Sequence, residues 1–222
     1  MIIIMNMIVK FAYNEDRDVD CLIAKGGGSI NSPGEKTKTY EKLLLYTDKV
    51  NDRETVRKFV HSYIKDNQLD PETAAAALQK SWDSVGADFE RRAEKAFGLG
   101  IDDEITAFLT VAGRYPYSIE NKFFFVSTRG PSANPVAMHE LWHFYTHYKF
   151  GAAFKGIGPA KFNEIKESLS VLLNIECPDL MGGETDCGYP QHQALRRVVS
   201  VAWLEIKDME KVWAAALASL PS

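Results

Sequence analysis

The residues of this chain whose types and spacing could carry out chemistry lie between Asn134 and Gly151, where the sequence contains the pattern H-E-x-x-H. His139 and His143 are four positions apart, so on a helix both imidazoles lie on one face and can bind one metal ion. Glu140 would lie beside that ion, where its carboxylate can act as a general base. The segment therefore predicts a metal site, and zinc is the ion that this pattern typically binds.

The same segment has the features of a buried helix. Asn134 is a favourable N-cap, Pro135 suits the first helical position, and Gly151 can end the helix. The other side chains are apolar on nearly every face, which is typical of a helix in the protein interior. Two histidines and a glutamate are costly to bury without a partner that uses them. This burial favours a metal ligand role over histidines that only satisfy core hydrogen bonds.

Composition argues against several functional classes. The net charge of −4, with basic residues spread through the chain, offers no basic patch for nucleic acid. The apolar N-terminal run lacks the flanking features of a secretory signal, and no apolar run is long enough to predict a membrane span. Cys21, Cys177 and Cys187 form no C-x-x-C pair, and we interpret them as free thiols in preference to a bridge between the last two. We therefore expect a cytoplasmic protein with neither a nucleic acid nor a membrane as its partner.

The first part of the chain predicts strands and helices without a recognisable site. Residues 1–25 indicate one or two strands, and the glycines at 26–28 with the turn at 31–34 indicate a flexible connection. This glycine run lacks the downstream Gly-Lys-Ser/Thr of a phosphate-binding loop. Helices are predicted over residues 35–46, 52–65 and 70–97. We assign residues 1–98 to an N-terminal strand and helical accessory region.

The second part of the chain predicts the region that performs the chemistry, residues 99–222. Strands are predicted over residues 105–112 and 122–127, and helices follow over 134–151, 160–175 and, as one or two helices, 191–217. The predicted fold class is α+β and mostly helical, with a small sheet packed against the H-E-x-x-H helix and a glutamate-bearing helix. The two parts are also compatible with one continuous domain.

A catalytic zinc site needs a third protein ligand and an open position for water. Thr146 and Lys149 stand where the metzincin pattern has glycine and histidine, so that arrangement is excluded. The acids on the next predicted helix, Glu164 and Glu167, are three positions apart and share one face. In taking a glutamate from a later helix, the chain resembles the gluzincins, a superfamily of zinc metallopeptidases whose best-known member is thermolysin.

The resemblance leaves two glutamates open as the third ligand. Glu164 follows an asparagine, similar to the Asn-Glu that opens the thermolysin ligand helix, but Ser168 stands where that helix has a further acid. The segment that begins Lys166-Glu167 is similar to a Lys-Glu-Ala-Leu-Thr pattern that small uncharacterised bacterial proteins pair with H-E-L-x-H. We predict Glu167 as the ligand and Glu164 as a supporting neighbour, with Glu164 as the alternative ligand.

The resemblance implies a zincin-like core and a zinc-dependent peptidase. The zinc ion would activate water for attack on a peptide bond, and Glu140 would take the proton from that water. Gluzincins stabilise the oxyanion with groups beyond the ligand helix, and His192 and Tyr189 are the candidates here. The strand before the motif helix could hold an extended peptide or protein substrate.

Two other functions remain open from the sequence. One is a non-catalytic interaction module in which zinc only stabilises the core, and the other is a hydrolase of amides that are not peptides. Glu140 argues against the interaction module, because a structural zinc site has no use for this acid and usually has a fourth ligand.

Overall fold

The computed structural model describes residues 7–23, 37–128 and 133–221. The predicted glycine turns between residues 26 and 34 lie outside the described residues. The described residues form two compact units. The sheet unit contains residues 8–82 and 103–133 as far as they are described, and the helical unit contains Met7 with residues 83–102 and 134–221. Each unit contains residues from before and from after the boundary predicted between residues 98 and 99. That boundary stays a prediction.

The sheet unit is built on four strands within the described residues: β1 (Ile8–Tyr13), β2 (Glu104–Thr110), β3 (Tyr117–Ser118) and β4 (Phe123–Ser127). Their order is β1-β2-β4-β3, with β1 and β4 parallel to β2 and β3 antiparallel to β4. The register pairs Val9 with Ile105 and Thr106 with Phe123. The strands predicted from residues 105 and 122 are therefore present.

Four helices accompany these strands along the chain: α1 (Glu15–Ile23), α2 (Lys38–Tyr46), α3 (Arg53–Asp66) and α4 (Pro71–Asp83). The predicted N-cap of α3 is present, since Asp52 accepts a hydrogen bond of 2.8 Å from the backbone N–H of Thr55. Helix α1 lies within residues 1–25, for which one or two strands were predicted, so the second strand is replaced by a helix. Its first turn is acidic and Asn14 accepts from the N–H of Arg17, both of which favour a helix N-terminus.

The core of the sheet unit lies between helices α1, α2 and α3 and the strands. Its buried members include Val19 and Leu22 of α1, Val56 and Val60 of α3, and Phe125 of β4. Apolar residues at positions i and i+3 or i+4 place one face of α1 and one face of α3 in this core. The unit is therefore held by a helix-on-sheet core, as in other α+β folds.

The helical unit contains the remaining helices: α5 (Gly86–Phe97), α6 (Ala133–Phe150), α7 (Phe154–Ile157), α8 (Pro159–Leu169), α9 (Leu173–Glu176), α10 (Gln193–Ile206) and α11 (Met209–Ala218). The single helix predicted over residues 70–97 is wrong, because α4 and α5 are separate. Gly98 ends α5 with a left-handed φ of 69°. The C-terminal prediction resolves into two helices, since Lys207 is left-handed and Asp208 caps α11.

Aromatic side chains form the core around α6 in this unit. Phe97 of α5 contacts both Trp142 and Tyr145 of α6, with ring centroids 5.0 and 5.4 Å apart. Phe150, the last residue of α6, stacks on Trp213 of α11 at 4.2 Å. These contacts hold α6 on more than one side, as its apolar composition predicted.

The fold class predicted from the sequence, α+β and mostly helical with a small sheet, is confirmed. None of the helices in the described parts of the chain combines the length and apolar character needed to span a bilayer. Cys21 and Cys177 are buried thiols, and Cys187 is an exposed one.

Candidate metal centre

Helix α6 positions the H-E-x-x-H residues of the candidate metal centre. It begins at Ala133, one residue before the predicted N-cap, and ends at Phe150, directly before Gly151. His143 is 2% exposed and Glu140 is 7% exposed, while the side chain of His139 is 23% exposed. The rings of His139 and His143 lie 4.4 Å apart between centroids. The helical spacing thus brings both imidazoles to one place, as predicted.

Helix α8 supplies a carboxylate to the same place. Ligand atoms of His139, His143 and Glu167 all lie within 4.8 Å of one another, and among the described residues this group could hold a metal ion. Glu167 Oε2 is 3.6 Å from Nε2 of His139 and 3.5 Å from Nε2 of His143. Zinc with bonds of about 2.0 to 2.2 Å in tetrahedral geometry requires ligand atoms about 3.3 to 3.6 Å apart. The group therefore fits a zinc ion in both donor type and spacing.

A second carboxylate, that of Asp186, orients His139. The distance between His139 Nδ1 and Asp186 Oδ2 is 2.5 Å, which leaves Nε2 of His139 directed at Glu167. Outer carboxylates of this kind fix the tautomer and ring orientation of a metal-binding histidine. Asp186 lies in a loop, where residue spacing carries no signal, so the sequence did not predict its contact with His139.

Asp186 is itself held by several polar side chains. Its Oδ1 accepts hydrogen bonds from Ser170 Oγ at 3.1 Å and from Arg196 Nη2 at 2.8 Å. The side chain of Asn174 donates to its backbone carbonyl and accepts from its backbone N–H, each at 2.8 Å. Arg196 is 3% exposed and also donates to Ser170 Oγ at 2.8 Å. The loop is thus fastened at Asp186, the residue that orients His139, to the short helical segments that follow α8 and to α10.

Lys166 brings a buried positive charge next to the ligand carboxylate. It is 1% exposed, and its Nζ lies 2.5 Å from Oε1 of Glu167. In the sequence, Lys166 is only the first residue of the Lys-Glu pattern and indicates no role of its own. Neither its burial nor its partner follows from its position before Glu167, because adjacent helical residues point in different directions.

These contacts shift the pKa values of the groups that form the centre. Burial would raise the pKa of Glu167, but the neighbouring imidazoles and Lys166 hold it well below its usual range. Burial lowers the pKa of His139, yet hydrogen bonds with Asp186 and Glu167 outweigh it and raise the pKa to about 10. The pKa of His143 falls to about 3 because of burial and the charge of Lys166. Burial favours the uncharged form of His143, the form that binds metal.

Glu140 lies beside the group without belonging to it. Its carboxylate oxygen Oε2 is buried and has no hydrogen-bond partner among the described residues. Burial is the main reason that the pKa of Glu140 is raised to about 7, with His139 and Lys166 acting in the opposite direction. An acid with a free oxygen beside a metal centre is suited to accept a proton from a reactant.

The other predicted site residues lie outside the group. His192 ends the short 3-10 helix Pro190–His192 and is 7% exposed, and the ring of Tyr189, itself 40% exposed, is 5.6 Å away between centroids. Burial lowers the pKa of His192, and the charges of Glu167 and Glu164 act in the opposite direction. Glu164 is half-buried and is not part of the group. The roles of His192, Tyr189 and Glu164 stay predictions.

Comparisons of the chain with protein-family models, with curated proteins and with solved structures found no match. The likeness to gluzincins therefore depends on the motif residues themselves. It stays a prediction.

Proposed function

We propose that this protein is a zinc-dependent hydrolase of the gluzincin type that cleaves peptide bonds. The observation that carries the proposal is the pairing of a three-ligand group with a carboxylate oxygen of Glu140 that has no hydrogen-bond partner in the part of the chain that the structure describes. A structural zinc site usually has four protein ligands, whereas a catalytic site has three and an open position. Glu140 would be a buried acid with no function in a structural site, and such burial is unfavourable.

His139, His143 and Glu167 would hold the zinc ion. When bound, zinc supplies Lewis-acid polarisation of the substrate carbonyl and of water. Asp186 keeps the imidazole of His139 in the orientation that leaves its Nε2 available. The imidazoles and the carboxylate of this group are the donor types that zinc prefers.

Glu140 performs the proton transfers in the proposed reaction. Its carboxylate accepts a proton from the water whose oxygen attacks the carbonyl carbon, and then gives that proton to the amide nitrogen as the C–N bond breaks. The products are a carboxylic acid and an amine, so atoms and protons balance. His192 and Tyr189 are the proposed donors to the oxyanion, because they follow the ligand helix in the chain.

The first test is the metal content of the purified protein. We expect about one zinc ion per wild-type chain and its loss in His143→Ala, because that change removes one of three ligands. Elemental analysis measures both. A wild-type protein that contains no transition metal and takes up none on addition of zinc would refute the metal centre and the proposed function together.

The second test separates a catalyst from a zinc-containing interaction module. Glu140→Gln keeps the size of the side chain but removes its basic carboxylate, so zinc should stay bound while hydrolysis falls about 10²-fold or more. A mixed peptide library analysed by mass spectrometry provides the substrates, and Glu205→Gln on α10, exposed in the structure, is the control. If wild type and Glu140→Gln hydrolyse every peptide of the library to the same extent, the peptidase proposal fails. A library of non-peptide amides then distinguishes the two remaining alternatives.

A further inference from the structure

Lys166 is a buried, charged residue of the candidate centre that the proposed reaction does not use. It is 1% exposed, and it precedes the ligand glutamate on α8. Transfer of an ammonium group from water to the protein interior is strongly unfavourable unless a partner compensates for it. Glu167 Oε1, 2.5 Å from Lys166 Nζ, provides that compensation. The position of this pair within the centre suggests a role that a hydrophobic residue could not perform.

The two oxygens of Glu167 have different surroundings. Oε2 lies 3.6 Å from His139 Nε2 and 3.5 Å from His143 Nε2, which is the side where a metal ion would be bound. Oε1 accepts a hydrogen bond from Lys166 Nζ. A charge-assisted hydrogen bond of this kind fixes the rotation of the carboxylate about its terminal bond. One oxygen is therefore presented to the imidazoles and the other is held by the lysine.

We propose that Lys166 is a positioning residue that restricts Glu167 to binding metal through Oε2 alone. Carboxylates bind cations through one oxygen or through both, and the second mode uses an additional coordination position. Lys166 occupies Oε1, so the protein supplies three ligand atoms and water the fourth, as in a catalytic centre, and binding of Oε1 as well would add a fifth neighbour. This inference depends on the proposed metal centre. It identifies Lys166 as a residue that determines how many coordination positions of the metal ion the protein fills.

The test is the coordination of the bound metal in wild type and in variants of Lys166. Lys166→Met removes the charge and the donor at similar length, Lys166→Arg keeps both, and Lys161→Met removes a half-buried lysine from the same helix as the control. X-ray absorption at the zinc edge measures the number of nearest N and O atoms. The visible spectrum of the cobalt-substituted protein is the second readout, since its bands weaken when coordination rises above four.

We expect the zinc in Lys166→Met to gain one oxygen neighbour, because the carboxylate becomes free to rotate and bind through both atoms. Lys166→Arg and the control should match wild type. An unchanged coordination number in Lys166→Met would overturn the proposal. Near-ultraviolet circular dichroism verifies that each variant is folded.

The wild-type protein alone also tests the inference if Lys166→Met fails to fold. Its zinc should have a single short bond to Glu167, of about 2.0 to 2.2 Å, with the other carboxylate oxygen beyond bonding distance. A spectrum or crystal structure with both oxygens bound would overturn the proposal. A wild-type protein that binds no metal would instead refute the proposed function, so the two failures are distinguishable.

Discussion

Replacement of Asp18 by Asn should change how the stability of the protein depends on pH. Asp18 lies on α1 with a relative exposure of 0%. Its Oδ1 accepts hydrogen bonds from Thr110 Oγ1 at 2.6 Å and from the backbone N–H of Val111 at 3.0 Å. Burial raises the pKa of Asp18 from 3.8 to about 6, although these two hydrogen bonds lower it. The folded protein therefore favours the protonated form of this group.

The sign of the effect follows from that direction. A group with a raised pKa in the folded state contributes stability that is fully present below its unfolded pKa and is lost as pH rises through its folded pKa. For values of 3.8 and about 6, the free energy of unfolding of wild type should fall by about 2 kcal/mol between pH 4 and pH 7 because of Asp18. Asp18→Asn keeps the acceptor Oδ1 but does not titrate, so this loss should be absent.

The measurement is chemical denaturation of wild type and Asp18→Asn at several values between pH 4 and pH 7. Other groups titrate in this range, but they are common to both proteins and largely cancel in the difference. That difference should move in favour of the variant by about 2 kcal/mol as pH rises. The exposed Asp48→Asn is the control, and its difference from wild type should be small throughout. A constant difference between wild type and Asp18→Asn would refute the reasoning.

Two further predictions concern the candidate metal centre. Asp186→Asn should weaken zinc binding about 10- to 100-fold, because a neutral amide replaces the carboxylate that orients His139. Competition with a chromophoric chelator measures this, and an unchanged affinity would contradict it. In the same assay Glu167→Ala should lose more affinity than Glu164→Ala, since only Glu167 is grouped with the histidines. The reverse order would identify Glu164 as the ligand.

The parts of the centre that the sequence determined are those that one helix generates from its own geometry. His139, Glu140 and His143 depend only on a period of 3.6 residues per turn, so a helix brings them together in any tertiary context. Local capping was equally predictable, as at Asp52, because its hydrogen bond spans three residues. The left-handed Gly98 is a further example, since glycine adopts positive φ without steric penalty.

The local sequence did not determine the secondary structure where a segment suited a strand and a helix equally, or where a helical pattern continued across a break. Residues 15–23 contain apolar and acidic positions that suit a strand or a helix, and the acidic first turn with its cap decides for the helix. The break between α4 and α5 interrupts a stretch with good helical periodicity, and its strongest local sign is Gly86. Element type was therefore more predictable than element boundaries.

Only the tertiary structure identified the residues outside α6 that take part in the candidate centre. Glu164 and Glu167 share a helix face, so periodicity could not choose between them, whereas packing against α6 brings Glu167 to the imidazoles. Asp186 reaches His139 from a loop 47 residues away in the chain. Lys166 is buried only because its helix is packed on that side. Contacts of this kind depend on the three-dimensional course of the chain, and no local period or cap in the sequence encodes them.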